Sequence, residues 1–267
     1  MTDFISSVIS EVTDIFGVCK FDDIKDSLLN CRKLSLIPEK SQSVIVMLFP
    51  YLLDEDYSDS DISKYAVVRD YHDVICEALE KVTEKIRREY PEEEFVYFTD
   101  NSPIPEVKAA VLSGLGVMGK NGLLINEKYG SWVFIGEIVT TMEMSTQKPK
   151  ETSCINCGNC IKLCPGSAIG ENGIDKTLCL SDITQKKCEL SAEETELIRK
   201  SGCAWGCDVC QNVCPMNKDV TVNPFFGFVG TSDMRARTDG DISDRAYAWR
   251  GKKVIERNLH ITEKKEG

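Results

Sequence analysis

Residues 154–165 read CINCGNCIKLCP, which is the pattern C-x2-C-x2-C-x3-C-P without a mismatch. This spacing is typical of a chain that places three thiolates on one [4Fe–4S] cube and sends the fourth to a neighbouring cube. A second cube must then exist, and residues 207–215, which read CDVCQNVCP, repeat the later part of the pattern. We therefore predict two adjacent [4Fe–4S] clusters, which together make a path for single electrons.

The crossed pattern also predicts which thiols bind which cluster. The first cluster takes Cys154, Cys157, Cys160 and Cys214, and the second takes Cys164, Cys207, Cys210 and one of Cys179, Cys188 and Cys203. Structural zinc is the alternative, because C-x2-C pairs also make zinc sites. Zinc gives no reason for the two Cys-Pro endings, so the spacing favours iron–sulfur clusters.

Cysteine usage and charge narrow the class of protein. Ten of the 13 cysteines fall between Cys154 and Cys214, and no export signal or membrane-length apolar run is apparent among the 267 residues. An odd number of clustered thiols without a signal peptide favours metal ligands over disulfides and predicts a cytoplasmic protein without a membrane span. The net charge of −11 argues against a generally basic surface for nucleic acid.

The apolar pattern predicts an α+β fold with a mixed sheet flanked by helices, followed by a cysteine-rich domain of the ferredoxin type. Short β-branched runs predict strands at residues 43–49, 95–98 and 131–140, and helical spacing predicts helices at 4–16, 62–88, 108–113 and 243–258. The character of the chain changes near Pro149 and again after residue 222. We therefore expect three parts: residues 1–148, 149–222 and 223–267.

Three further features have a structural and a functional interpretation. Asp100 follows a predicted strand, where it either caps a turn or faces a cleft at the end of the sheet. Residues 114–119 match G-x-G-x-x-G, but they follow a predicted helix, so we expect a glycine-rich turn close to another ligand and no dinucleotide site. His72 lies among apolar neighbours and is expected to be a packed residue.

A basic segment near the end of the sequence is either a solvated helix face or a contact for the phosphates of a nucleic acid. Its members are Arg245, Arg250, Lys252, Lys253 and Arg257.

Several short stretches, in this order, resemble the epoxyqueuosine reductases, the cobalamin-dependent iron–sulfur enzymes of the last queuosine step on tRNA. The resemblance covers roughly residues 40–260, and the matching stretches are 43–46, 50–51, 65–72, 100–103, 114–121, 130–137 and the cysteine segment to 217. The chain departs from the family at residues 67–68 and 105–107, and we expect it to be a short form without the helical repeats that follow in longer members.

The resemblance implies a cobalamin-binding α/β domain over residues 1–148 and a double [4Fe–4S] domain over 149–222. It implies that Asp100 is the proton donor and that Cys179 is the remaining ligand of the second cluster. It also implies electrons from an external low-potential donor, tRNA as substrate and a monomer. The positions that match the corrin pocket or its surroundings are Tyr65, Arg69, Asp100, Lys120, Asn121, Leu124, Ile135 and Ser181.

Two other functions fit the same sequence. One is an electron-transfer protein that passes electrons to a partner and does no chemistry itself. The other is a corrinoid-dependent reductase whose substrate is not tRNA.

Overall fold

The computed structural model describes residues 2–171 and 173–263, and it confirms that helices and strands are combined in one chain. The chain forms two compact units. The first unit contains residues 1–50, 72–119 and 123–154, and the second contains residues 51–71, 120–122 and 155–267.

The first unit is built on a four-stranded sheet with the strand order β1-β2-β6-β3. Its elements, in chain order, are α1 (Asp3–Ser10), β1 (Phe16–Lys20), β2 (Ser43–Pro50), α3 (Tyr71–Glu89), β3 (Phe95–Phe98), α4 (Glu106–Leu112), β4 (Val117–Met118), β5 (Leu124–Ile125) and β6 (Val133–Thr140). Helix α2 (Lys64–Val67), which precedes α3 in the chain, belongs to the second unit.

The three strand pairs of this sheet are all antiparallel, which corrects the expectation of a mixed sheet. Every residue of β2 is buried, because the strand lies inside the sheet and is covered on both faces. Strand β6 lies between β2 and β3, and Glu137 in its middle is opposite Val46 of β2 and Phe98 of β3.

Helices cover the two faces of the sheet. On one face, α4 contributes Ala109 and Ala110 to a core that includes Ile135 and Val139 of β6. On the other face, a Cβ at Gly136 would lie 3.0 Å from Leu79 and 3.1 Å from Ile75, both on α3. Because side chains alternate along a strand, Glu137 shares the α4 face with Ile135 and Val139.

The second unit has little extended structure, and its buried apolar residues include Trp205, Tyr247 and Phe228, each 0% exposed. Its elements are α2 (Lys64–Val67), α5 (Asn159–Lys162), β7 (Ile169–Gly170), β8 (Gly173–Ile174), α6 (Leu180–Thr184), α7 (Ala192–Ser201), α8 (Val209–Asn212) and α9 (Lys252–Glu263). One buried cluster joins α6, α7 and α9 through Leu180, Ile183, Ile198 and Ile261.

The segment 51–71 belongs to the second unit because hydrogen bonds tie it to the loop before α8. The backbone N–H of Ser63 donates to Trp205 O at 2.8 Å, and that of Lys64 donates to Asp208 Oδ2 at 2.7 Å. Residues 223–263 also pack within this unit. The two units therefore differ from the three expected parts, since tertiary hydrogen bonds unite stretches that are far apart in sequence.

Three predicted helices have different bounds in the structure. The opening helix ends at Ser10, and Phe16 begins β1. The expected helix 62–88 is divided into α2 and α3, and the final helix begins at Lys252, after a loop. Among the described residues, no helix is long and apolar enough to cross a membrane.

Candidate functional site

The thiols expected at the second cluster are brought together by a close approach of two loops. Gly166 follows Cys164 and Pro165, and a Cβ there would lie 1.9 Å from Leu178 O, immediately before Cys179. Only glycine allows this approach, because any side chain would collide with that backbone carbonyl. The Cys-Pro-Gly sequence therefore places Cys164 beside Cys179.

Electrostatics group the same four thiols. Cys207 lies close enough to Cys179 and Cys164 to feel their charges, and Cys210 is affected by Cys207, Cys179 and Cys164. Burial raises the pKa of Cys207 to about 11 and that of Cys210 to about 12. Thiolates at these buried positions need a cationic partner, and iron supplies one. The donor set therefore fits a cluster.

Hydrogen-bond donors surround these sulfur atoms. Cys179 precedes α6 and accepts from the backbone N–H groups of Ser181 and Asp182, and Cys164 accepts from Ala168 N at 3.3 Å. The side chain of Asn121, which is 4% exposed, donates to the sulfur of Cys210. Such bonds stabilise negative charge on sulfur and help to set the cluster potential.

The two competitors of Cys179 are placed differently. The thiol of Cys203 donates to Trp205 O at 3.2 Å and to Gly206 O at 3.4 Å. Cys188 is exposed, and its carbonyl oxygen accepts from Arg257 Nη1 at 2.9 Å. These positions favour Cys179 as the fourth ligand, as the resemblance implied.

The ligands expected at the first cluster lie on two short helices and the segment before them. Cys160 is in α5 and Cys214 follows α8, and Asn159 Nδ2 donates to Val213 O at 3.3 Å. This bond holds the neighbours of Cys160 and Cys214 together. Cys157 is exposed at the start of the same turn, and Cys154 is the last residue of the first unit.

In the first unit, Asp100 stands at the end of β3 in an unusual backbone conformation. Asp100 and Asn101 have φ angles of 40° and 38°, in the left-handed region that few residues other than glycine adopt. The carboxylate oxygen Oδ2 of Asp100 is 2.9 Å from His72 Nε2, and the Asp100 side chain is 50% exposed. His72 is therefore the hydrogen-bond partner of the predicted proton donor, as well as a residue packed on α3.

Two glutamates near Asp100, one partly buried and one fully buried, were missed by the sequence analysis. Glu106 is the first residue of α4, and Glu137 is 0% exposed in β6. Burial, followed by the charge of Asp100, raises the pKa of Glu106 to about 8. Burial also raises the pKa of Glu137 well above its usual value. The signal in the sequence was a single acid within the apolar run 133–139.

The residues expected around the corrin ring fall in both units. Tyr65, Arg69 and Ser181 of the second unit are partly exposed, and Lys120 is exposed. Their hydroxyl and cationic groups suit an amide-rich ring such as a corrin. Leu124 and Ile135 of the first unit are 3% and 9% exposed and belong to its core.

The glycine motif and the basic segment differ from their expected roles. A Cβ at Gly116 would lie 2.5 Å from Ile125 O, so the close approach at the motif is to β5. Arg245 is 7% exposed and donates to Val67 O and Thr231 O. Arg245 and Arg250 precede α9, so the five basic residues do not share one helix face.

Comparison with known families finds a match in each of two parts of the chain. A family model described as "4Fe-4S double cluster binding domain" matches residues 153–217. A second, described as "Epoxyqueuosine reductase QueG, DUF1730", matches residues 32–101.

Curated relatives named epoxyqueuosine reductase extend the similarity across most of the chain. The protein from Lactococcus garvieae is 31% identical over 247 residues, which are 85% of this chain and 69% of the relative. The protein from Leadbetterella byssophila is 33% identical over 218 residues, which are 81% of this chain and 71% of the relative. The match to the Aliivibrio fischeri protein covers only 50% of that relative.

Solved structures share the fold. An epoxyqueuosine reductase from Streptococcus thermophilus is 23% identical with a TM-score of 0.80, and the match covers 97% of this chain and 80% of that one. An epoxyqueuosine reductase solved with an epoxyqueuosine-modified tRNA stem loop is 22% identical with a TM-score of 0.82 and the same coverage.

Proposed function

The chain belongs to the epoxyqueuosine reductase family, and from that membership we propose that it reduces epoxyqueuosine in tRNA to queuosine. The observation that carries the proposal is the presence, in one chain, of a thiol set for a double cluster and of a hydrogen-bonded carboxyl at Asp100. Removal of an epoxide oxygen as water consumes two electrons and two protons. The thiol set would hold the clusters that supply the electrons, and Asp100 would donate the protons.

When bound, the two clusters deliver single electrons and cobalamin provides the reducing centre that opens the epoxide. Cys154, Cys157, Cys160 and Cys214 are the proposed ligands of the first cluster, and Cys164, Cys179, Cys207 and Cys210 are those of the second. The proposed corrin contacts are Tyr65, Arg69, Lys120 and Ser181, which have solvent-exposed surface. Asn121 donates a hydrogen bond to Cys210, a proposed ligand of the second cluster. Leu124 and Ile135 belong to the core of the first unit.

Asp100 is the proposed general acid. Its proton passes to the epoxide oxygen as the carbon–oxygen bond breaks, which avoids a poor alkoxide leaving group. The hydrogen bond between His72 Nε2 and Asp100 Oδ2, at 2.9 Å, fixes one carboxyl oxygen, and half of the side chain remains exposed. The left-handed backbone at Asp100 is consistent with a functional turn, because such conformations are kept where geometry matters more than stability.

The test compares Asp100→Asn with Asp26→Asn, a change at an exposed residue of the same unit. Both proteins are purified without oxygen, assayed for iron, sulfide and cobalt, and supplied with epoxyqueuosine-modified tRNA and a chemical reductant. We expect both to hold the same cofactors, and the Asp100 variant to turn over more slowly by about 10²-fold or more. Turnover of Asp100→Asn at the parent rate would contradict the acid role.

A substrate other than tRNA is the second candidate, and the burial of Arg245 favours it. One of five basic residues is committed to backbone carbonyls, and the net charge is −11. Because phosphate contacts are strongest at low salt, binding of the cobalamin-loaded protein to modified tRNA is measured there. Lack of binding under that condition would support the second candidate.

Three further properties complete the proposal. An external low-potential donor is needed because the chain consumes electrons at each turnover. A cytoplasmic location agrees with the absence of disulfides among the 13 cysteines, all of which lie in the described ranges. The monomeric state stays a prediction, which sedimentation of the loaded protein tests.

A further inference from the structure

The carboxyl group of Glu137 is the most unusual buried group in the first unit. It lies in the middle of β6 between Val46 of β2 and Phe98 of β3, and its residue is 0% exposed. Neither of its oxygens has a hydrogen-bond partner within the described residues. An ionised carboxylate in such a place would be very costly, so Glu137 holds a proton at neutral pH.

Glu106 is close both to this group and to Asp100. Its carboxylate accepts the backbone N–H of Asp100, and its second oxygen, Oε1, is buried without a partner in the described part of the chain. The charges that act on Glu106 are those of Asp100, which favours protonation, and of His72 and Lys33, which oppose it. Burial outweighs the two cations, so Glu106 is also mainly protonated near pH 7.

The three carboxyl groups form a series from the core to the surface. Apart from its own burial, Glu137 is affected first by the charge of Glu106 and then by that of Asp100, so both groups are near it and Glu106 acts on it more strongly. Exposure rises along the series, from 0% for Glu137 to 50% for the side chain of Asp100. The alternation along β6 supports this order, because Glu137 points to the face that α4 covers.

We propose that Glu106, with Glu137 behind it, is the proton reservoir that returns a proton to Asp100 after each transfer to the substrate. This role rests on the proposed function, in which Asp100 is the acid. Two protons leave with the oxygen as water, and the carboxyl of Asp100 can hold only one. A second donor close to Asp100 shortens the time that its carboxyl stays without a proton, and Glu106, which accepts the backbone N–H of Asp100, is such a group.

The proton balance is simple. Asp100 gives its proton to the epoxide oxygen, the acidic hydrogen of Glu106 moves to the Asp100 carboxylate, and Asp100 then gives the second proton to the same oxygen. Glu106 is restored by the proton of Glu137, and water recharges the series through His72 at the exposed end. No electrons move in these steps, since both come from the external donor that the proposed function requires.

The first measurement asks whether the two carboxyls are protonated, independently of turnover. Infrared spectra of the full-length protein, prepared without oxygen, are recorded from pH 5 to 9 for the parent, Glu106→Gln, Glu137→Gln and Glu143→Gln. Glu143 is exposed in the same unit and is the control. We expect two carbonyl bands of buried protonated acids at pH 7, one lost in each of the first two variants and none in the control. Absence of both bands would overturn the proposal.

The second measurement asks whether the reservoir supplies Asp100. In steady-state turnover we expect Glu106→Gln to lower kcat by about tenfold or more with little change in KM, and to remove the decline that the parent shows above about pH 8. A role in packing alone would not alter the pH profile. Glu106→Asp is a second variant, in which the carboxyl group is kept on a shorter side chain and so lies farther from Asp100. It should have a lower kcat while it keeps an infrared band.

The outcomes separate the two proposals. Parent-like kcat and pH profile in Glu106→Gln, together with an inactive Asp100→Asn, would overturn the reservoir and leave the proposed function intact. Parent-like turnover in Asp100→Asn would remove the acid and with it the reservoir, even where both infrared bands are present. Rate loss in Glu106→Gln together with loss of the alkaline decline, and with both bands in the parent, supports the reservoir. Rate loss with the parent's pH profile would overturn it.

Discussion

Asn258 of α9 holds two other segments of the second unit, and its removal should loosen all three. Its side chain is 0% exposed, and Nδ2 donates to Thr184 O at 2.7 Å and to Ala204 O at 2.8 Å. Both carbonyls belong to fully buried residues. One follows the turn of Cys179, and the other begins the loop that leads to Cys207.

The expected cost of Asn258→Ala follows from those two bonds. Each carbonyl left buried without a donor costs about 1–3 kcal/mol, so the pair costs roughly 2–6 kcal/mol. At about 1.4 kcal/mol for each factor of ten, the lower figure is a change of about 30-fold in the opening equilibrium. Asn258→Leu keeps the volume without the donor and should cost a similar amount, which distinguishes the hydrogen bonds from a cavity.

Hydrogen exchange followed by mass spectrometry measures this local opening equilibrium in the intact, cluster-loaded protein. Peptides covering 180–186 and 203–207 should lose protection by at least about 30-fold in both variants. Glu256→Ala, at an exposed residue of the same helix, should change stability by less than about 0.5 kcal/mol. Equal protection in Asn258→Ala and Glu256→Ala would refute the prediction that Asn258 holds these segments together.

Three further predictions concern the clusters and the buried acid. Cys179→Ser should lower bound iron from about eight to about four atoms per chain after anaerobic reconstitution, whereas Cys188→Ser and Cys203→Ser should leave it unchanged; loss of iron in the latter two alone would reassign the ligand. Asn121→Leu removes a hydrogen bond to sulfur and should lower one cluster potential by about 40 mV, the equivalent of about 1 kcal/mol for one electron, in an electron paramagnetic resonance titration. The pKa of Glu106 is raised from 4.5 to about 8, so the native state binds the extra proton and stability falls as pH rises between these values. Over that pH range, the free energy of unfolding measured with urea should fall by up to about 5 kcal/mol more in the parent than in Glu106→Gln. An equal fall in the two proteins would contradict the raised pKa.

The features that were predicted correctly are those whose pattern lies within a few neighbouring residues. The β-branched run at residues 43–49 becomes the buried strand β2, and residues 95–98 become β3 without a shift. The cysteine spacing likewise predicted a double cluster domain, because a cluster fixes the distances between its own ligands. In each case, the information lies within about ten residues.

Tertiary contacts decide what the sequence did not predict. Ile62 pairs with Trp205, and nothing near either residue in sequence indicates that pairing. In the sequence, Glu106 is an ordinary residue at a helix start and Glu137 is a single acid in an apolar strand. Only the fold brings both of them close to Asp100. Arg245 looked available for phosphate because its carbonyl partners, at Val67 and Thr231, are distant along the chain.

The path of the chain has a consequence for the order of events on the ribosome. It passes from one unit to the other at residues 50, 71, 119, 122 and 154. All strands of the four-stranded sheet are synthesised before residue 155, so the sheet can assemble while translation continues. Residues 51–71 and 120–122 emerge in the same period, but their hydrogen-bonding partners near Trp205 and Cys210 are made later. A nascent chain therefore carries two unpaired stretches for much of its synthesis, and a truncated gene product would keep them permanently.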